Sequence, residues 1–435
     1  MSVEERVRSA TRERADLVRD VRPLDLPASA PIRLPRWPGP RRWGTWAAPA
    51  AAAAIVVALA VGLVSLRQAR SEPAVPGTAR SGTSASSAAS VVPGYYAALD
   101  YPNRPGPNAL GVGKTGAAGL LSTLRAPRGQ SFAGVTGAAD DRTFVAVTEA
   151  YPVHKNVPSG APVAWYLLRV SAADGSSVKI SKLSVPGQPT GTQVSGIALS
   201  PGGSELAVLF QRGVWSGKLG PLTLSVYSVS TGKALRTWTQ QANGPLVGYG
   251  WYSGQYSNTS ITWLSGQRLA FDEGVYSGPG NYVLDPVFTD VKIRTLSLSR
   301  PGGSLLADSR VIFASGNSSC GTLQLTADGK SVFCGTSAGR ADRKSGAYDP
   351  RIVEYAVATG KSRLVYRRAG VYNYGVANVL WLNASGSSLV GAVYDLTKGT
   401  DEGVGYVDAG PIVKGALKPI IFPVGGPPFA GGIAF

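Results

Sequence analysis

The chain has 435 residues, with 43 Lys and Arg against 26 Asp and Glu, for a formal net charge of +17. Apolar residues make up 44% and charged residues 16%, a balance that excludes a mostly disordered chain. Fifty-five glycines and 31 prolines without a three-residue period exclude collagen and disfavour a helical bundle, one histidine excludes His-rich metal sites, and two cysteines exclude a zinc site built of thiolates alone.

Residues 2–22 read as a short amphipathic helix. Ser2 and Glu5 stand at capping-box spacing, and Val3, Val7, Ala10, Leu17, Val18 and Val21 fall on one stripe beside several arginines. Six prolines between Pro23 and Pro40 then forbid a helix and predict an extended tether. Residues 1–46 thus suit either adhesion to anionic lipid or docking of a cytoplasmic protein.

Residues 47–66, AAPAAAAAIVVALAVGLVSL, carry no charge. As a helix, twenty residues span roughly 30 Å, the thickness of a bilayer core. Trp43 and Trp46 stand at its entry, where amphipathic rings favour the headgroup layer. Ten arginines precede the span, and only Arg67 and Arg70 follow it closely. The positive-inside rule therefore predicts a single-pass anchor with its amino terminus in the cytoplasm and the rest outside. A cleaved signal peptide is the rival, but it would need a basic region of more than forty residues. Residues 67–93 have the Ser, Ala, Gly, Thr and Pro composition of a linker.

From Gly94 onward the chain holds 50 of the 55 glycines and no long stretch of helical period. A hairpin pattern recurs instead: FAGVTGAADDRTFVAV from Phe132, VSGIALSPGGSELAVL from Val194, SITWLSGQRLAF from Ser260, GTLQLTADGKSVF from Gly321 and VANVLWLNASGSSLVGAV from Val376. Each joins two alternating apolar runs by a polar turn, and the turns fall about sixty residues apart. Second hairpins follow, most plainly LTLSVYSVSTGKALRTW and RIVEYAVATGKSRLVY. Four-stranded antiparallel units at this period predict propeller blades. Five full blades are expected at 131–185, 194–239, 259–313, 320–368 and 376–423. Strands at 95–99, 109–113 and 120–125 would join the terminal FAGGIAF in a sixth, closed by both parts of the chain. The expected fold is all-β, a six-bladed β-propeller over 94–435, with seven blades as the alternative.

SPGGSELAVL, TADGKSVFC, VSTGKALRTW and VATGKSRLVY resemble the hairpins of WD40-like and TolB-like β-propellers, although the Trp-Asp dipeptides of strict WD40 blades are missing. The whole layout resembles single-pass membrane proteins of actinobacteria that carry such a propeller outside the cell, including those of anti-sigma type. The resemblance covers about 340 residues and implies architecture more than activity.

Propeller topology puts the short turns on one face and the long loops on the other, and functional groups concentrate in long loops on rigid scaffolds. Those loops carry Tyr249, Trp251, Tyr252, Tyr256, Tyr276, Tyr282, Tyr372 and Tyr374. Flat rings with polar tips suit a sugar, a peptide or a protein surface. Near the ends of second strands stand Asp100, Glu149, Asp272, Glu273 and Asp395, a candidate polar ring for a cation or for loop amides. Cys320 and Cys334 flank one hairpin, and an exported domain permits a disulfide. A three-residue turn at Ala327–Gly329 would set Cys334 opposite Thr322, two residues from Cys320. No G-x-S-x-G elbow, HExxH, P-loop or Asp-box motif is expected to stand out, so no catalytic residue, cofactor or metal is expected. The predicted function is a membrane-anchored binding module for a ligand, protein or cell-wall polymer, in envelope sensing or sigma-factor-linked signalling. A wall-directed hydrolase and a structural subunit of an envelope complex are the alternatives, and location argues against nucleic acid.

Overall fold

The computed structural model describes residues 92–100, 109–150, 162–171, 175–188, 192–212, 220–241, 246–247, 261–264, 267–276, 288–316, 323–338, 347–368, 371–372, 377–396, 403–412, 417–420 and 432–435. Among them no helix is long and apolar enough to cross a membrane. The span expected at 47–66, the tail 1–46 and most of the linker lie outside the described residues.

Six sheets form six blades. Blade one holds β1 (Tyr95–Asp100), β2 (Ala109–Lys114) and β3 (Leu120–Arg125), and blade two holds β4 (Gln130–Gly137), β5 (Thr143–Ala150), β6 (Pro162–Val170) and β7 (Val178–Leu183). Blade three is β8 (Thr192–Leu199), β9 (Glu205–Arg212), β10 (Leu222–Ser228) and β11 (Ala234–Gln240). Blade four is built on β13 (Ile261–Leu264), β14 (Arg268–Tyr276), β15 (Phe288–Ser297) and β17 (Ser309–Gly316), with β12 (Leu246–Val247) added to β14 and β16 (Gly302–Ser304) lying between β15 and β17 in sequence. Blade five is β18 (Leu323–Leu325), β19 (Ser331–Ala338), β20 (Ala347–Ala356) and β21 (Ser362–Arg367), with β22 (Val371–Tyr372) on β20. Blade six is β23 (Ala377–Leu382), β24 (Ser388–Leu396), β25 (Gly403–Pro411) and β26 (Lys418–Pro419).

The last strand, β27 (Ile433–Ala434), returns to blade one, pairing Ala434 with Ala97 and Ile433 with Ala98. Packing confirms the closure. Six hydrophobic clusters each join two successive blades, and one of them sets Leu380, Val390 and Val407 of blade six against Tyr96, Ile433 and Phe435 of blade one. Burial falls from the centre outward. β4 and β5 are buried at nearly every position because neighbouring blades cover both their faces, whereas β3 and β7 mix half-buried and exposed positions and β21 is exposed except at Val365 and Tyr366.

Blade three departs from the four-stranded expectation. β16, a segment of blade four, adds to its outer edge as a parallel strand, pairing Gly302 with Thr237 and Ser304 with Thr239. This cover explains why Trp238, on an otherwise outer strand, is fully buried beside Leu298 and Leu305. The backbones approach so closely that a Cβ on Gly302 would lie 2.0 Å from the Thr237 carbonyl oxygen. The Cys334 hairpin also differs. Cys334 pairs with Leu323, not Thr322, because the turn spans 327–330 with Gly329 left-handed at φ 75°. Cys334 is buried and disulfide-bonded, and Cys320, the one other cysteine in the sequence, lies outside the described residues.

Candidate functional site: the mouth of the central channel

The turns joining first and second strands share one chemical design. Ala138, Ser200, Thr326 and Asn383 donate their amides to the carbonyls of Thr143, Glu205, Ser331 and Ser388 at 2.8–3.1 Å. Each turn then places one residue, Asp141, Gly203, Gly329 or Gly386, in the left-handed region at φ 51–75°. Side chains complete the turns: Ser200 Oγ accepts the Ser204 and Glu205 amides at 3.1 and 2.9 Å, and Asn383 Oδ1 accepts those of Ser387 and Ser388 at 2.8 and 3.1 Å. In blade two Asp140 takes this role, accepting from Arg142 N at 3.0 Å, Thr143 N at 2.9 Å and Thr143 Oγ1 at 2.7 Å.

The turns of blades two, three and six rim a cavity of about 650 Å³. Its wall is the innermost strand of every blade at one register level. Thr136 opposite Val145, Ala198 opposite Ala207, Trp263 opposite Leu269, Gln324 opposite Phe333, Trp381 opposite Val390 and Ala434 opposite Ala97 all line it. Neighbouring strands are stitched at this level, because Trp263 Nε1 donates to the Ala198 carbonyl at 2.9 Å and Leu199 N donates to Thr136 Oγ1 at 3.3 Å.

The charges at the rim belong to the scaffold. Asp141 Oδ2 accepts the Gly94 amide and so ties blade two to the start of blade one; burial is the main cause that raises its carboxyl above the usual carboxylate range. Arg142 donates Nη1 to the Ser171 carbonyl at 2.8 Å and lies 4.9 Å from the Tyr95 ring centroid.

The described cavity thus opens on the short-turn face, opposite the long loops that the sequence favours. Of the aromatic candidates, Tyr249, Trp251, Tyr252, Tyr256, Tyr282 and Tyr374 lie outside the described residues, and Tyr276 and Tyr372 are fixed only as backbone, opposite Phe288 and Ala347. The carboxylates alternate along their strands. Counted from Phe144, Arg268 and Leu389, which face the last residue of each first strand, Glu149 and Glu273 stand sixth, Asp272 fifth and Asp395 seventh. Asp100 faces Ala109 at the end of β1, and Glu149 is half-buried. Glu273 is buried in an ion pair with Arg294 at 2.7 Å, where its charge is held by blade four itself.

No protein-family model and no curated protein matches the sequence. Solved structures that resemble the fold include Kuenenia stuttgartiensis hydrazine synthase (13% identity, TM-score 0.34, 66% of this chain and 64% of that one). A TolB structure from Agrobacterium tumefaciens matches at 12% identity and TM-score 0.39, over 78% of this chain and 95% of that one. The tricorn protease matches at 12% and 0.40 over 74% of this chain, which spans only 30% of the protease chain. At such identities the likeness is one of fold alone.

The reading of the sequence passed over Thr262, Trp263, Gln324 and Trp381. The signal for them is the alignment of the innermost strands, where Ala or Thr in GVTG, GIAL and GIAF gives way to Trp or Gln in ITWL, TLQL and VLWL. The expectation that no G-x-S-x-G elbow stands out needs correction, because Gly335–Gly339, GTSAG, has that spacing. An elbow requires a sharp turn at its Ser, whereas Ser337 lies within β19 and pairs with Pro350.

Proposed function

We propose that the chain is a membrane-tethered, extracytoplasmic binding module that captures a small ligand in the mouth of its channel. One observation carries this reading: every blade contributes a register-equivalent residue to a single cavity of about 650 Å³, inside the roughly 300–1,000 Å³ range of small-molecule sites. The residues sit on strands and capped turns, so the cavity is pre-formed and its occupation costs little ordering entropy.

Export is supported by the apolar run at 47–66, by the arginines that precede it, and by the disulfide at Cys334, a bond rare in a reducing cytosol. In this reading a protein or wall polymer engages the aromatic long-loop face, and residues 2–22 engage lipid or a cytoplasmic partner such as a sigma factor.

The test uses the full chain in a detergent free of sugar groups, with small-molecule fractions of the cell envelope. A ligand at 100 times its Kd adds about 2.7 kcal/mol to the stability of the folded state. The unfolding midpoint should rise for the native chain and not for Ala139→Trp/Ala384→Trp, which plugs the cavity from two exposed rim positions. If no fraction stabilises the native chain beyond the plugged one, the proposal is wrong.

A further inference from the structure

We infer that the channel-mouth cavity is a site for an uncharged saccharide. The inference rests on the reading of that cavity as a ligand site and adds the chemistry of what it holds.

The ring of register-equivalent positions is lopsided. Blades one, two and three contribute Ala434, Thr136 and Ala198, while blades four, five and six contribute Trp263, Gln324 and Trp381. Small side chains on one arc leave the space, and large flat or amide-bearing ones on the other build a wall. The Trp263 indole is fixed by its bond to the Ala198 carbonyl, so its ring is held in place before any ligand arrives. Three polar groups on the same arc make no side-chain hydrogen bond within the described residues: the Gln324 amide, the Thr262 hydroxyl and the Trp381 indole N–H.

Two indole faces beside an amide, a hydroxyl and an indole donor match a sugar. Its C–H faces are apolar and stack on aromatic rings, while its hydroxyl rim both donates and accepts. Charged ligands fit less well. Asp140 is bound by the amides of Arg142 and Thr143, Asp141 by that of Gly94, and Arg142 by the Ser171 carbonyl and the Tyr95 ring. All three charges stand on the blade-two rim, and among the described lining residues the arc of Trp263, Gln324 and Trp381 holds none. An ion bound against that arc would lose its hydration without a counter-charge beside it. A neutral polyol has hydroxyls to meet the Gln324 amide, the Thr262 hydroxyl and the Trp381 indole N–H.

The experiment titrates the full chain, in polyoxyethylene detergent, with cellobiose, lactose, mannobiose and N,N′-diacetylchitobiose, following tryptophan fluorescence. Choline and inorganic phosphate serve as charged probes. At least one disaccharide should change the emission saturably, and Gln324→Met and Thr262→Val should each weaken its binding roughly tenfold while near-ultraviolet circular dichroism stays native. The Ala139→Trp/Ala384→Trp plug should abolish the response. Four silent disaccharides, or binding untouched by both polar substitutions, would overturn the saccharide assignment. If choline or phosphate, or an envelope fraction that stabilises only the unplugged chain, gives a response where the disaccharides give none, the sugar chemistry fails and the ligand site stands. If nothing distinguishes native from plugged chain, both fail.

Discussion

Replacing Arg294 with Met separates a structural from a ligand-binding role for Glu273. The Arg294 guanidinium donates to Glu273 Oε2 at 2.7 Å, Ser309 Oγ at 2.8 Å and the Leu306 carbonyl at 2.9 Å. The two side chains are only 15% and 11% exposed, so water screens the pair weakly. Met keeps much of the apolar stem but leaves a buried carboxylate without its cation and the Leu306 carbonyl without this donor. Removing one member of a buried pair costs about 3–5 kcal/mol, whereas replacing both by apolar groups is close to neutral. Urea unfolding should therefore show Arg294→Met destabilised by about 3–5 kcal/mol at unchanged m-value, and the double variant Arg294→Met/Glu273→Leu less destabilised than Arg294→Met alone. Ligand binding at the channel mouth should be the same in all folded variants. A loss below about 1 kcal/mol, or a double variant that loses the sum of the two singles, would refute the assignment.

Gly232 and Gly360 occupy twin turns at φ 71° and 65°, but a Cβ on Gly232 would lie 2.3 Å from the Ser184 carbonyl oxygen while Gly360 faces open space. Gly360→Ala should cost about 1–2 kcal/mol for the left-handed backbone alone, and Gly232→Ala distinctly more, as equilibrium unfolding would show. A disulfide joining Cys334 to Cys320 closes a loop of about 15 residues, so its reduction should cost up to about 3 kcal/mol, read as a lower unfolding midpoint in reductant and checked by thiol titration. Burial raises the Tyr96 hydroxyl from 10.0 to about 12, and burial with the Asp408 carboxylate raises Tyr366 further. In each case the unfolded chain loses its proton first. This stabilisation is complete below pH 10 and is lost as the pH climbs through the folded pKa. Tyr96→Phe should flatten the alkaline limb of the stability profile between pH 10 and about 12; an unchanged limb would count against it.

The sequence carries much of this fold because its signals are local. Alternating apolar runs around polar turns locate β1 to β3 within a residue of their observed ends, and FAGGIAF announces the closing strand because it repeats the inner-strand pattern of FAGVTG. Contacts between blades are not local. Pro301-Gly302-Gly303 reads as a turn, and only the outer edge of blade three makes it a strand. Glu273 lies on a strand with a register shift, so its meeting with Arg294 depends on pairing that spacing does not reveal. The cavity was partly readable, since its wall needs only a comparison of six inner strands. The expectation of a long-loop site rests on where aromatic residues gather, and most of those residues lie outside the described ones.

We propose that this cavity faces the outside of the cell, and cysteine labelling tests that topology most directly. The cavity rim includes Asn383, and Ser387 beside it is exposed. Intact cells carrying Ser387→Cys or, separately, Ser2→Cys are treated with a membrane-impermeant maleimide. Ser387→Cys should label fully in intact cells and Ser2→Cys only after lysis. Labelling of Ser2→Cys in intact cells, or protection of Ser387→Cys until lysis, would contradict the proposed topology.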